Sequence, residues 1–169
     1  YTINQDGTID VDDNVYLSNK RLTKFPLKFD KVTGDFYCST NNLTTLEGSP
    51  NYVGGSFYCT NNQLITLEGA PNYVDGSFNC WNNKLITLKG SPKKVGENFN
   101  CYDNKLTTLE DAPNEVAGNF ICFNNQFTSL KGSPNYVGNG FYHDKFTYND
   151  YISYIKQLNR DKKLTELEI

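Results

Sequence analysis

The chain has 169 residues, with 16 Lys and Arg against 19 Asp and Glu, a formal charge of −3. That is the length of one domain, and the balance of charge gives no reason to expect a nucleic-acid partner. No apolar run approaches the roughly 20 residues of a membrane helix, and the polar, acidic stretch from Tyr1 to Asn14 is not a signal peptide, so no membrane insertion is expected.

Residues 1–14 read as an N-terminal hairpin cap. Ile3, Ile9 and Val11 alternate with polar residues around Asp6-Gly7, a favoured two-residue turn. A calcium loop is the rival reading, because Asn4-x-Asp6-Gly7-x-Ile9 looks like the middle of an EF-hand. It would start at Thr2 and end on Asp13 rather than Glu, with no flanking helices, so the hairpin is preferred and no metal site is expected. Its expected job is to cover the open apolar end of the coils that follow.

Residues 15–146 repeat at a fixed step of 21. Phe36, Phe57, Phe78, Phe99, Phe120 and Phe141 form one column. Two residues later stand Cys38, Cys59, Cys80, Cys101 and Cys122, and three residues after those stand Asn41, Asn62, Asn83, Asn104 and Asn125. Leu-x-x-Leu, Pro and Val columns follow. Val15 to Val32 is a worn first repeat, and the pattern breaks again after His143. Such a period marks a solenoid, in which each coil buries its apolar side by stacking on its neighbours. The fold class expected is therefore a mostly β and irregular solenoid of about seven coils, with one parallel sheet of seven strands about 30 Å across. Phe and Cys point in, and the Asn column is expected to bond its own turn and the next coil. A Gly before each strand is expected to permit the corner.

The five cysteines are an odd number, and none lies closer than 21 residues to another. In register, neighbouring Cβ atoms stand about 4.8 Å apart, beyond the ~3.8 Å a disulfide prefers. They read as buried reduced thiols, which fits a reducing compartment. The remainder, 147–169, is a C-terminal capping helix and tail. Ile152, Ile155 and Leu158 share a face, which predicts a helix over Asn149–Leu158 capped by Asn149 or Thr147. Met is absent, so the chain reads as processed or as a piece of a longer protein.

The unit Phe-x-Cys-x-x-Asn-x-Leu-x-x-Leu resembles the leucine-rich repeat, with Phe36, Cys38, Asn41 and Leu43 standing in that family's second Leu, third Leu, Asn and fourth Leu positions. The 21-residue length with Pro on the return side is similar to the short repeats of bacterial effector-type proteins. The wording LTTLEGSPNYVGGSFYC, with its lead-in YTINQDGTIDVDDNVYLSNKRLTKFP, resembles repeat proteins encoded by large tailed bacteriophages. The resemblance covers residues 1–146. It implies a curved leucine-rich-repeat-like parallel sheet that binds a protein on its concave face, and it implies no activity. The reduced cysteines and the lack of a signal-peptide pattern make the host cytoplasm or a virion the expected location.

No enzyme signature stands out, and no cofactor is expected. His143 stands alone in the last Cys column, and alternation sends Asp144 to the opposite face. Ser56 and Ser77 lie in Gly-Ser-Phe, which is not a nucleophile elbow. The informative positions are the outward ones. One row holds Tyr16, Tyr37, Tyr58, Asn79, Asn100, Ile121 and Tyr142, and the next holds Ser18, Ser39, Thr60, Trp81, Tyr102, Phe123 and Asp144. Aromatic residues concentrate binding energy, although sheet positions also favour them for their own stacking. Lys84 and Lys105 lie beside Trp81 and Tyr102 and suit an acidic partner or a solvated edge. The candidate partner-binding set is Tyr37, Tyr58, Asn79, Trp81, Lys84, Asn100, Tyr102, Lys105, Ile121, Phe123 and Tyr142. Three functions compete: a protein-binding module, a structural or decorating component of a virion or other assembly, and a glycan binder.

Overall fold

The structure, a computed structural model, describes residues 1–166 and shows a mostly β parallel solenoid with N-terminal strands and a single C-terminal helix. The Phe columns form the expected seven-stranded sheet, with Val15–Tyr16, Phe36–Tyr37, Phe57–Tyr58, Phe78–Asn79, Phe99–Asn100, Phe120–Ile121 and Phe141–Tyr142 in spatial sequence. Every pairing joins residues 21 apart, such as Phe57 with Phe78, so side chains of one kind stack on their own kind. Helix cannot compete here, because Gly and Pro interrupt each coil before a turn of helix could propagate.

The single expected sheet is only half of the β structure. The Val column forms a second sheet of eight strands on the return side. Its members are Thr2–Ile3, Ile9–Val11, Phe29–Val32 and then two-residue strands from Tyr52–Val53 to Tyr136–Val137. Val is β-branched and sits where the chain must run extended after Pro, so each coil pairs with its neighbours there too. The core lies between the two sheets. Phe36, Cys38, Leu43, Leu46 and Val53 are fully buried, as are their equivalents in the next three coils to within 1 %.

Three ladders of polar contacts hold the coils in register. In the first, each column Asn is spent on backbone. Asn62 Nδ2 donates to the carbonyls of Cys59 and Cys38, and Asn62 Oδ1 accepts the Leu43 amide at 3.0 Å. The second contact therefore reaches the preceding coil, not the next one. The amide replaces strand hydrogen bonds just where the chain leaves the sheet. The second ladder runs through the residue before each Phe. Asp35, Ser56, Ser77 and Asn98 each accept the amide of the residue 21 later, starting with Ser56 N to Asp35 Oδ1. The glycine before it explains itself by this contact. A Cβ on Gly55 would meet the Asp35 carboxylate, and Gly55 is not among the residues with positive φ. Close approach, rather than the corner conformation expected, is what glycine permits at Gly55, Gly76 and Gly118, while Glu97 and Asn139 fill the same column in two coils.

The third ladder stands two residues after each Cys. Asn19, Thr40, Asn61, Asn82, Asp103 and Asn124 all take left-handed backbone, with φ between 52° and 60°. Asn and Asp tolerate that region, and a β-branched residue does not. Asn82 donates to Asn61 Oδ1 at 2.6 Å and Asn124 to Asp103 Oδ1 at 2.7 Å. Replacing Thr40 by Asn should relieve the strain and add one rung, raising stability by about 1 kcal/mol in urea unfolding. An unchanged midpoint would show that Thr40 is unstrained.

Both ends differ from expectation. The hairpin turn is a three-residue loop, Gln5–Gly7: the Asn4 carbonyl accepts the Gly7 amide, and Gly7 has φ 81°. The Asp6 carboxylate is spent on the amide and hydroxyl of Thr8. The hairpin extends the second sheet by pairing Ile9–Val11 with Phe29–Val32, while Ile3 stays 66 % exposed. Ile9 and Val11 of the hairpin pack, partly buried, against the core as expected, and the worn repeat helps them close it. Phe25 and Phe29 pack edge-on against Phe36 at 5.5 and 5.3 Å.

At the other end, α1 runs from Tyr148 to Glu166, eight residues past the expected Leu158. Residues 159–166 are exposed, and Arg160, Lys162, Lys163, Leu164 and Glu166 among them are good helix formers, so helix continues after the apolar periodicity stops. Of the ambiguous LTELEI stretch, Leu164–Glu166 belong to α1, and 167–169 lie outside the described residues. Thr147 caps the start: its Oγ1 accepts the Asp150 amide, and Asp150 accepts the Thr147 amide in return. Tyr151 takes the place of the next coil's Phe. Its ring stacks on Phe141 at 5.1 Å and its hydroxyl donates to the Pro134 carbonyl.

Candidate functional site

The candidate residues line the outer face of the Phe sheet, and the structure sorts them into two blocks. In the N-terminal half Tyr16, Tyr37 and Tyr58 stack at 5.1 and 4.8 Å with rings parallel within 4°. In the C-terminal half the rings cross to the next row, where Trp81, Tyr102 and Phe123 stack at 5.2 and 4.7 Å. The switch follows from the sequence. Where the first row has Tyr, the second has Ser or Thr, or Asp144 beside Tyr142, and where the second has an aromatic, the first has Asn or Ile. Each coil from Val15 to Ile121 thus carries one ring, with a small or amide side chain beside it.

That arrangement buries polar groups on a face read as open. Asn79 is only 7 % exposed and Thr60 only 5 %. Asn100 Nδ2 donates to Asn79 Oδ1, and Thr60 Oγ1 donates to Ser39 Oγ. Asn100 Oδ1 is buried without a partner. The rung that would satisfy it falls on Ile121, which has no donor. Asn79 therefore presents little surface to any partner, while Tyr37, Tyr58, Trp81, Tyr102 and Phe123 are half-buried with their edges outward.

Electrostatics divide the blocks further. The Tyr37 hydroxyl donates to the Asp35 carboxylate at 2.7 Å, and that bond, aided by burial, pushes its pKa up to about 12. Burial and then the Asp103 charge raise that of Tyr102. Lys84 and Lys105 stand exposed in adjacent coils of one column, and neither forms an ion pair among the described residues. Elsewhere opposite charges one coil apart do pair: Lys89 with Glu68 at 2.8 Å, Lys94 with Glu115 at 3.0 Å and Lys131 with Glu110 at 2.9 Å. The Trp81 block is thus flanked by positive charge that the fold leaves free.

Tyr142, 52 % exposed, is separated from the other tyrosines of its row by Asn79, Asn100 and Ile121. His143 keeps its column but not its burial. Its ring lies 4.1 Å from Phe127 and 5.2 Å from Phe146, and Nδ1 accepts the Lys145 amide. Partial burial lowers its pKa. Asp144 is exposed and accepts the Asn124 amide. The five thiols are all free and buried. Four of them donate to a carbonyl of the following coil, as Cys59 does to Asn79.

The left-handed column and the ladder before Phe were missed at the sequence level. The signal for the first was the recurring Asn-Asn pair, whose two members do different jobs. Searches of protein families, of characterised proteins and of solved structures found no match to this chain, so the reading of the face rests on its own geometry.

Proposed function

We propose that this chain is a non-catalytic protein-binding module of leucine-rich-repeat type, and that its partner seats on the Trp81–Tyr102–Phe123 block. One observation carries the reading. Three large rings lie in a continuous half-exposed row beside two unpaired lysines, outside the core that stabilises the fold. Trp and Tyr in such a row supply contact area at small entropic cost, and a flanking positive charge favours an acidic partner surface. The stacking also bears on the glycan alternative. Inside the row ring faces are turned to one another, so Tyr102 offers a sugar only its edge, and a face without a stacked ring is left only at the two ends, on Trp81 and Phe123. The likeness of the repeat wording to phage-encoded proteins supports a viral source, with the host cytoplasm or the virion as the place of action. An assembly component remains the second reading.

The test compares capture from host-cell lysate by the chain and by its Trp81→Ala/Tyr102→Ala variant. A single protein held by the first and lost by the second, with both equally folded by circular dichroism, is the expected result. Capture of nothing by either points to the assembly component. Equal capture by both removes the aromatic block from the account.

A further inference from the structure

A cleft of about 570 Å³ opens where the Phe sheet meets the C-terminal cap, beyond the end of the ring row. Phe123 gives one face to Tyr102 at 4.7 Å. The next residue of its row is Asp144, so the other face of Phe123 has no ring stacked on it. Tyr142 and Phe146 line the same cleft. The site is shaped in the backbone as well. A Cβ on Gly140 would lie 2.7 Å from the Tyr142 ring, so the ladder residue found before every earlier Phe gives way to glycine, and the ring folds into its place.

Some polar groups at the cleft are engaged, while the Tyr142 hydroxyl and the Asn139 carboxamide make no hydrogen bond among the described residues and His143 Nε2 is buried without a partner. The Thr147 hydroxyl is bonded to Asp150, the Tyr148 hydroxyl to the Val137 carbonyl and His143 Nδ1 to the Lys145 amide. One Asp144 oxygen holds the Asn124 amide, and the carboxylate has no ion pair among the described residues. What the cleft offers a cation is aromatic surface, one negative charge and a few neutral polar groups. A guanidinium or primary ammonium would have to leave the strong hydration of its N–H groups for scattered acceptors, the second Asp144 oxygen, the Tyr142 hydroxyl and the Asn139 carboxamide, on a mainly aromatic lining. A quaternary ammonium brings a positive charge, apolar methyl groups and no donor. Ring faces attract such a cation, and the volume suits a small molecule.

We propose that this cleft binds a trimethylammonium group of the choline type, held by Phe123, Tyr142 and Phe146 with Asp144 as counter-charge. The proposal does not depend on the protein-binding reading of the Trp81 block. It is tested by titrating ¹⁵N-labelled chain with choline chloride and following amide shifts, with sodium chloride matching the ionic strength. Saturable shifts confined to residues around Gly140–Tyr148 are expected. The neutral carbon isostere 3,3-dimethylbutanol and free arginine should each bind more weakly. Asp144→Asn should weaken choline by about tenfold by removing the counter-charge while leaving the melting temperature unchanged. Tyr142→Ala, at a position 52 % exposed, supplies a second variant expected to lose binding without loss of fold. Absence of saturable shifts, equal binding of the neutral isostere, or tighter binding of arginine would overturn the assignment.

Discussion

Raising the pH from about 8.5 to about 10 is expected to unfold the protein, with the five buried thiols as the main cause. Burial pushes all five far above the ordinary thiol range. In the unfolded chain they ionise from about pH 8.5, whereas in the native coils they stay protonated. The native state therefore holds more protons than the unfolded state throughout this window, and stability falls as pH rises. The loss is about 1.4 kcal/mol per pH unit for each thiol, or about 7 kcal/mol per unit for the five together once the unfolded thiols ionise. A domain of this size has only about 5–15 kcal/mol to lose. Tyr151 adds to the effect above pH 10, since burial raises its pKa to about 12. Urea unfolding under reducing conditions across this range gives the slope directly. A Cys59→Ala/Cys101→Ala variant should lose two fifths of it, and a slope of zero in the parent chain would place the thiols outside the core.

Substituting Phe78 by Ala should cost about 3–5 kcal/mol. The ring is fully buried between Phe57 at 5.3 Å and Phe99 at 5.4 Å. Rigid coils above and below cannot collapse into the space, so the cavity persists. Tyr58→Ala provides the contrast. Its ring stacks on Tyr37 at 4.8 Å, as closely as the Phe rings do, but on the outer face. Its loss should cost about 1 kcal/mol or less, the value of a cross-strand pair. Thermal or urea unfolding of the two variants separates depth from stacking. Equal losses would reverse the inward and outward assignments of the Phe sheet.

The repeat made the solenoid legible because a 21-residue period leaves little choice of register. Phe78 must sit over Phe57 if Asn83 is to sit over Asn62. Cores, the Asn ladder and the Phe sheet all followed. The second sheet was not legible, since a two-residue strand such as Tyr73–Val74 carries no alternation to read. The hairpin cap was legible from the alternation of Ile9 and Val11, but the share of Phe25 and Phe29 was not: they stand in a worn repeat, and only the fold shows them meeting Phe36. At the candidate site, the sequence identified which residues face outward but not how they lean. The burial of Asn79 depends on rings one row away, and the cleft depends on Gly140, whose role appears only when Tyr142 folds over it.

The binding face is tested most directly by site-specific photo-crosslinking in host-cell extract. A photoreactive phenylalanine replaces Tyr102 in one variant and Tyr73, on the outer side of the second sheet, in another. The account predicts one discrete adduct from position 102 and none from position 73. An adduct from position 73 alone would contradict it and move the binding surface to the opposite side of the solenoid.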